Sequence, residues 1–455
     1  MRERAPTCRT ICRDSRLRPP PFPTVLLAAF LATLAASRSL SAQPGPDHQE
    51  GWRLQGEYGL YVGEAGDTIE VRWFTVEEDS GFLEVRRGEA AAGSSRAADG
   101  STPVLSFTAA VGQVHAAMFQ RPASGPLSLT YGALGSEEDR HHTTIWPPPR
   151  RSEVEIGLVD SLFVVGDVHG EFDTLTAVLR NASLIDRAGH WSGGRRHLVF
   201  LGDLFDRGDD VTRTLWFIYG LERQAEAAGG SVHVVLGNHE IMVLVNDLRY
   251  VSEKELAIGE SHGIPYAGLF DVRRSVLGKW LASKPGLIRI GRVLLAHGGV
   301  ASAYADYSLQ AFDDSLAAFM SEELFHRWGQ PPDTTLSPVV MDSVAADRRI
   351  DFFFGENSVF WYRGYVQADT LQAALRDVLA RHDSDVHIVG HTPLDEIDDR
   401  YDGALLAVDL NSAAGQLLLL VKEDHGLRAF RYSSAGPPEP LDPGPEDPPE
   451  PLDPG

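Results

Sequence analysis

The spacing of hydrophobic and polar positions changes abruptly along this chain. Between residues 45 and 145, short apolar stretches follow one another with turn residues between them. They are EYGLYV (57–62), TIEVRWFTV (68–76), GFLEVRR (81–87), PVLSFTAAV (103–111), HAAMFQ (115–120) and LSLTYG (127–132). The alternation in Thr68-Ile69-Glu70-Val71-Arg72-Trp73 is the period of two expected of a strand with one buried face. Several such strands at this spacing predict a small all-β sandwich over 45–145. No group of residues suited to catalysis falls within it, so it reads as a binding or structural module. Consecutive prolines then interrupt the chain at Trp146-Pro147-Pro148-Pro149-Arg150. They donate no ladder hydrogen bonds and stiffen the backbone, which makes 146–152 the expected linker.

From 153 to 432 strands alternate with helices. SLFVVGD (161–167), HLVFLGD (197–203), SVHVVLGNHE (231–240), RVLLAHGG (292–299) and VHIVGHTP (386–393) share one form, an apolar run ending in polar residues. LLAVDL and QLLLLVK add later strands, while EFDTLTAVLRNA (171–182) and VTRTLWFIYGLERQAEAAG (211–229) have helical periodicity. Apolar runs of this kind, separated by helices, predict an α/β unit with a sheet covered on both faces. The charged positions Glu222, Arg223 and Glu226 are expected to face solvent. His141 and His142, beside the linker, are expected to be solvated, and His262 falls in an insert that could cap a site. PPEPLDPG occurs at 437–444 and again at 448–455. That composition cannot build a core, so 433–455 is expected to lack structure.

The first 42 residues form a third region. Several arginines precede the twelve-residue stretch VLLAAFLATLAA at 25–36, and Leu40-Ser41-Ala42 fits a cleavage site. The stretch is short for a membrane span and has the layout of a secretory signal. The expected location is periplasmic or secreted, with no membrane partner beyond the signal. Both cysteines, Cys8 and Cys12, fall within it, so the expected mature chain has no disulfide and no thiol chemistry. The net charge of −23 argues against nucleic acid or an anionic lipid surface as a partner. It also means that any site for an anion must carry its own local positive charge.

Five motifs close the apolar strands of the α/β region: GDVHG (166–170), GDLFDRG (202–208), GNHE (237–240), AHGG (296–299) and GHT (390–392). Ligands of open α/β sheets bind beyond the carboxyl ends of the strands, so the five loops are expected to converge. Asp167, His169, Asp203, Asn238, His297 and His391 then offer carboxylate, imidazole and amide donors. This mixture suits manganese, iron or zinc better than calcium or a thiolate-seeking metal. Six donors exceed the needs of one ion. Two ions about 3.5–4 Å apart and sharing a carboxylate would use them all.

This ordered set resembles the phosphoprotein phosphatase branch of the calcineurin-like metallophosphoesterases. NDLRYV (246–251) and FWYRGY (360–365) narrow the resemblance to the Shewanella-like protein phosphatases. The likeness covers about 160–420. It implies a sandwich of two mixed sheets flanked by helices, with two divalent metal ions, manganese foremost. It further implies that Asp167 and His169 bind the first ion, that Asp203 bridges, and that Asn238, His297 and His391 bind the second. His239 would be the general acid, Asp206 its carboxylate partner, and Arg207 and Arg363 the clamps on phosphate. The implied activity is hydrolysis of phosphate monoesters on phosphoprotein, at Ser/Thr or Tyr, by a metal-activated water. The same motifs also serve enzymes acting on nucleotides and other small phosphoesters. A third reading makes the N-terminal region an adhesive module and the chief business of the chain.

Overall fold

The structure is a computed structural model that describes residues 59–89, 103–122, 124–328, 348–410, 415–423 and 426–441. The expected signal segment 1–42 with Cys8 and Cys12, and the tail beyond Leu441, lie outside the described residues.

The N-terminal strands are β1 (Tyr61–Ala65), β2 (Thr68–Arg87), β3 (Leu105–Gln120), β4 (Leu127–Ala133) and β5 (Arg140–Ile145). The region is all-β, as the alternation requires. Its strands join one continuous antiparallel sheet rather than two facing ones. β2 accounts for the difference. It pairs with β1 through residues up to Arg72, with β4 from Gly81 onward, and with β3 on its other side throughout. Two expected strands are thus halves of β2, joined through an irregular stretch between Phe74 and Phe82. The alternating residues Ile69, Val71, Trp73, Leu83 and Val85 are all buried.

Among the described residues, the α/β body holds twelve strands in two six-stranded sheets. Its strands are β6 (Glu155–Ile156), β7 (Ser161–Val165), β8 (His197–Phe200), β9 (Ser231–Val234), β10 (Leu287–Ile290) and β11 (Val293–Ala296), then β12 (Val386–Val389), β13 (Asp398–Arg400), β14 (Leu405–Ala407), β15 (Gln416–Glu423), β16 (Gly426–Ser433) and β17 (Glu439–Pro440). The order is β17-β16-β15-β7-β8-β9 in one sheet and β13-β14-β12-β11-β10-β6 in the other. β7, β8 and β9 run parallel, as do β11, β12 and β14. Their side chains divide by parity. Leu162, Val164, Val199, Leu201, Leu295, Ile388, Leu418 and Leu420 pack together in one apolar layer. Phe163, Val165, Leu198, Phe200 and Leu294 join the larger core on the helix side. That is why these runs are apolar throughout.

The helices used below are α1 (Phe172–Asn181), α2 (Val211–Ala227), α3 (Asn238–Leu244), α4 (Glu253–His262), α5 (Val276–Ala282) and α6 (Leu309–Met320). α1 buries Leu175, Val178 and Leu179, the three- and four-residue spacing of one helical face.

The N-terminal sheet packs directly on the body, and their apolar residues form one core. The Trp216 indole donates to the carbonyl of Leu60 at 2.9 Å, and Lys279 on α5 pairs with Glu64 at 2.8 Å. The His262 ring stacks on Phe74 at 4.3 Å. His262 is therefore a buried joint between sheet and body, where the sequence allowed a cap over a site. The proline stretch is tied at both ends. The Trp146 N–H is 2.9 Å from the Tyr219 hydroxyl, and Arg151 forks onto the buried Asp313 of α6 at 2.5 Å. Glu222, expected to face solvent, instead accepts from Lys284 at 2.7 Å and from the Trp280 indole at 2.6 Å. His142 is exposed as expected, whereas His141 is half-buried and contacts Asp139 at 3.0 Å. Part of the segment expected to lack structure, 433–455, is ordered. Glu439–Pro440 pairs with Phe430 and Arg431 of β16 as a short edge strand.

Candidate metal centre

The expected metal ligands, with Asp206 and His239, lie past the carboxyl ends of parallel strands, whereas Arg363 stands just before the short helix Gly364–Gln367. Asp167 and His169 follow β7, Asp203 and Asp206 follow β8, Asn238 and His239 follow β9, His297 follows β11, and His391 follows β12. The backbone turns hard to present them. His169, Asp203, Asp206, Arg207 and His391 all have positive φ, between 48° and 69°. That conformation costs a residue with a Cβ of order 1 kcal/mol or more, so the surroundings must enforce it. Gly237 is needed for close approach, since a Cβ there would lie 2.2 Å from Asp203 Oδ1.

Asp203 is the centre of the arrangement. Its Oδ2 is 4.0 Å from His169 Nε2 and 3.7 Å from His239 Nε2. Its Oδ1 is 3.2 Å from His297 Nε2 and accepts the His239 backbone N–H at 3.0 Å. Two groups of buried donor atoms form around it, His169–Asp203–His239 and Asp203–His297–His391, each with its ligand atoms within 4.8 Å of one another. Asp203 is the member they share. Asp167 Oδ2 stands 3.9 Å from His169 Nε2, and its Oδ1 accepts the His391 N–H at 3.2 Å. Asn238 Oδ1 is 2.9 Å from His297 Nε2, which is itself 3.2 Å from His391 Nδ1. Asp206 Oδ2 lies 2.5 Å from His239 Nδ1. Arg363 donates to the carbonyl of His391. Arg207 is placed through its backbone N–H, which bonds the Tyr250 carbonyl at 2.8 Å. All ten residues singled out in the sequence thus come to one place.

The donor set fits divalent cations. His169 Nε2 is buried and has no hydrogen-bond partner among the described residues. His169 Nδ1 faces the carbonyl of Phe205 at 2.7 Å and His297 Nδ1 that of Leu201 at 2.8 Å. Those carbonyls fix each ring with Nδ1 protonated and Nε2 turned inward, as a metal-ligating imidazole requires. At the other end of the site, His297 Nε2, His391 Nδ1, Asn238 Oδ1 and Asp203 Oδ1 converge on one point.

Charge follows the same geometry. Burial pushes the Asp203 carboxyl up, but the His297 and His239 imidazoles beside it prevail and hold it well below the usual range. Burial opposes a charge on His297, yet Asp203 and Asp167 raise it to about 10. Burial similarly works against charging His239, and Asp203 and Asp206 outweigh it, so its pKa is raised. Burial lowers His169 to about 4 and keeps it neutral.

Three further residues belong to the site. Asp409 follows β14 as the other carboxylates follow their strands, and its carboxyl lies beside that of Asp167. Burial, with Asp203 adding to it, pushes Asp409 up to about 6. The strand LLAVDL was visible in the sequence, and the Asp ending it was the available signal. Glu240 is fully buried, and its carboxylate accepts the backbone N–H groups of Gly237, Asp203, Leu204 and Phe205 at 2.6, 2.8, 2.7 and 3.3 Å. It binds the loop after β8 to the loop after β9. Tyr250 has its ring 5.5 Å from that of His239. Nothing in its local sequence, apart from the resemblance, pointed there.

Comparison with known proteins agrees with this geometry. The family profile "Calcineurin-like phosphoesterase" matches residues 161–395. A cold-active protein-tyrosine phosphatase of a psychrophilic Shewanella superposes with a TM-score of 0.58 at 29% identity, covering 70% of this chain and 97% of that one. Shewanella-like protein phosphatase 2 of Arabidopsis thaliana is 40% identical over 97 residues, 21% of this chain and 25% of that protein. A symmetrical bis(5'-nucleosyl)-tetraphosphatase of Neisseria meningitidis is 30% identical over 146 residues, 30% of this chain and 43% of that protein. This chain therefore spans well under half the length of either of these two relatives.

Proposed function

We propose a substrate and a mechanism for a chain that belongs to the calcineurin-like phosphoesterase family and is a hydrolase of phosphate esters. It removes phosphate from phosphoprotein, at Ser/Thr or Tyr, with two divalent ions held by Asp167, His169, Asp203, Asn238, His297 and His391. The observation that carries this reading is the place of Asp203, whose Oδ2 faces His169 and whose Oδ1 faces His297. A one-ion site has no use for that arrangement. Manganese, with iron or zinc as alternatives, matches the mixed oxygen and nitrogen donors.

When bound, the ions supply Lewis acidity and a nucleophilic water at neutral pH. The remaining work falls to the chain. Arg207 and Arg363 clamp phosphoryl oxygens with planar guanidinium forks, providing the positive charge that a chain of −23 otherwise lacks. Asp206 fixes the Nδ1 side of the His239 ring and favours its charged form, so Nε2 presents a proton to the departing alkoxide. The arginine-led apolar segment at the start of the chain supports export to the periplasm or beyond.

The test is turnover of phosphopeptides and p-nitrophenyl phosphate by chelated protein before and after manganese is restored. Metal-dependent hydrolysis is expected, and its absence with every phosphoester tried removes the reading. The small-molecule alternative has the tetraphosphatase relative in its favour. A higher kcat/KM on nucleotides than on phosphopeptides would establish that alternative. His239→Ala should keep its metal and lose turnover by about 100-fold or more on alkyl phosphates, and by less on nitrophenyl phosphate, whose leaving group needs little protonation. Equal losses on both would exclude His239 as the acid.

A further inference from the structure

The NDLRYV stretch is left without a task by the mechanism above, and the structure puts its tyrosine at the mouth of the site. Tyr250 is 50% exposed, whereas His239 beneath it is 4% exposed. The two rings lie 5.5 Å apart, tilted by 55°. The Tyr250 carbonyl accepts the backbone N–H of Arg207, so the residue is anchored both to the expected proton donor and to the expected phosphate clamp. From the outer side, the Arg249 guanidinium lies 5.6 Å from the ring centre. Arg249 is itself held by a two-pronged bond to Asp247 at 2.8 and 2.7 Å. The ring is thus held from two directions while half of its surface stays open to solvent.

Its position relative to the reaction decides what it can face. His239 must stand next to the oxygen that leaves, so a ring in contact with His239 lies alongside the first atoms of the leaving group. In a phosphorylated tyrosine those atoms are an aromatic ring bonded directly to the departing oxygen. In phosphoserine or phosphothreonine they are one or two aliphatic carbons. In a nucleoside monophosphate the base is set back by a whole ribose. We propose that Tyr250 is a specificity-determining residue whose ring packs against an aryl leaving group and favours phosphotyrosine over phosphoserine. This rests on the phosphatase reading above and adds the choice of substrate at the same site.

The experiment uses the full chain loaded with manganese and two peptides of identical flanking sequence, one carrying phosphotyrosine and one phosphoserine. Tyr250→Ala should lower kcat/KM on the phosphotyrosine peptide about five- to tenfold, as expected for one lost aromatic pair. Most of that loss should appear in KM, and the phosphoserine peptide should change less than about twofold. Tyr250→Phe should retain the preference, since the ring face and not the hydroxyl carries it. Metal content and melting temperature equal to the parent's identify a folded variant. Equal losses on both peptides, or a Tyr250→Phe as impaired as Tyr250→Ala, would overturn the proposal. A loss confined to nucleoside monophosphates would overturn it in favour of base stacking. Failure of the phosphatase reading looks different, because the parent protein would then hydrolyse neither peptide.

Discussion

The N-terminal sheet and the α/β body use the same raw material, apolar strands, for different ends. In the body, β7, β8 and β9 are four or five residues long and stop at loops dense with Asp, His and Asn. In the N-terminal sheet, β2 and β3 run for 20 and 16 residues, and among the described residues no group of candidate metal ligands lies at their ends. Short strands bring many ends to one edge, and ends are where a backbone can turn a side chain inward without spending ladder hydrogen bonds. Long strands instead provide area, and β2 lays Phe74 on His262 at the end of α4. The difference separates a region that reacts from a region that supports.

Asp203→Asn strikes the reacting half hardest. It removes the carboxylate common to both groups of donors. Activity should fall by at least about a thousandfold, the several kcal/mol of transition-state stabilisation lost with the ions. Metal analysis should show both ions lost together. Retention of one ion per chain would mean that Asp203 is not shared. Phe74→Ala makes the converse cut. Phe74 is 1% exposed and stacked on His262, so truncation should cost about 3–5 kcal/mol in denaturant unfolding. The kcat of the surviving folded protein should stay within about twofold. A large loss of kcat would show that the sheet reaches into the chemistry and would collapse the distinction.

The smallest expected effect concerns a carboxyl buried within the body. Glu255 on α4 is 1% exposed and accepts from Thr212 Oγ1 at 2.6 Å and from the Tyr266 hydroxyl at 3.2 Å. Burial pushes its carboxyl from 4.5 up to about 7 despite those bonds. Between these values the folded chain holds a proton that the unfolded chain has released. The contribution of Glu255 to stability therefore falls as pH rises from about 4.5 to 7, and stays low above that. Glu255→Gln should gain up to roughly 2–3 kcal/mol at alkaline pH and little at pH 4, read from unfolding midpoints across pH. A parallel shift at every pH would mean that the carboxyl is ionised throughout.

The sequence spoke unevenly about these two halves. Asp167, His169, Asp203, Asp206, Arg207, Asn238, His239, His297, Arg363 and His391 were readable because each sits in a short motif whose glycines and polar residues are fixed by local geometry. Asp409 escaped because its motif has shrunk to a single acid after an apolar strand. Tyr250 escaped because its role depends on a contact made across a loop. In the N-terminal region, the stretches 77–80 and 112–114 fall between the expected strands. They are irregularities inside continuous strands, and only pairing with a distant neighbour shows it. β5, sequence RHHTTI, shows weak alternation because only Thr144 and Ile145 are buried. Pro440 looked like a mark of disorder, yet proline is acceptable on an edge strand, where it lies.

The four amide hydrogens gathered by Glu240 have a consequence for how the site would behave when emptied. A single side chain keeps the loops after β8 and β9 in register without help from any ion. Stripped protein would therefore keep its ligands in position, and reloading would be limited by diffusion and dehydration of the incoming ion. No slow refolding phase should precede the recovery of activity.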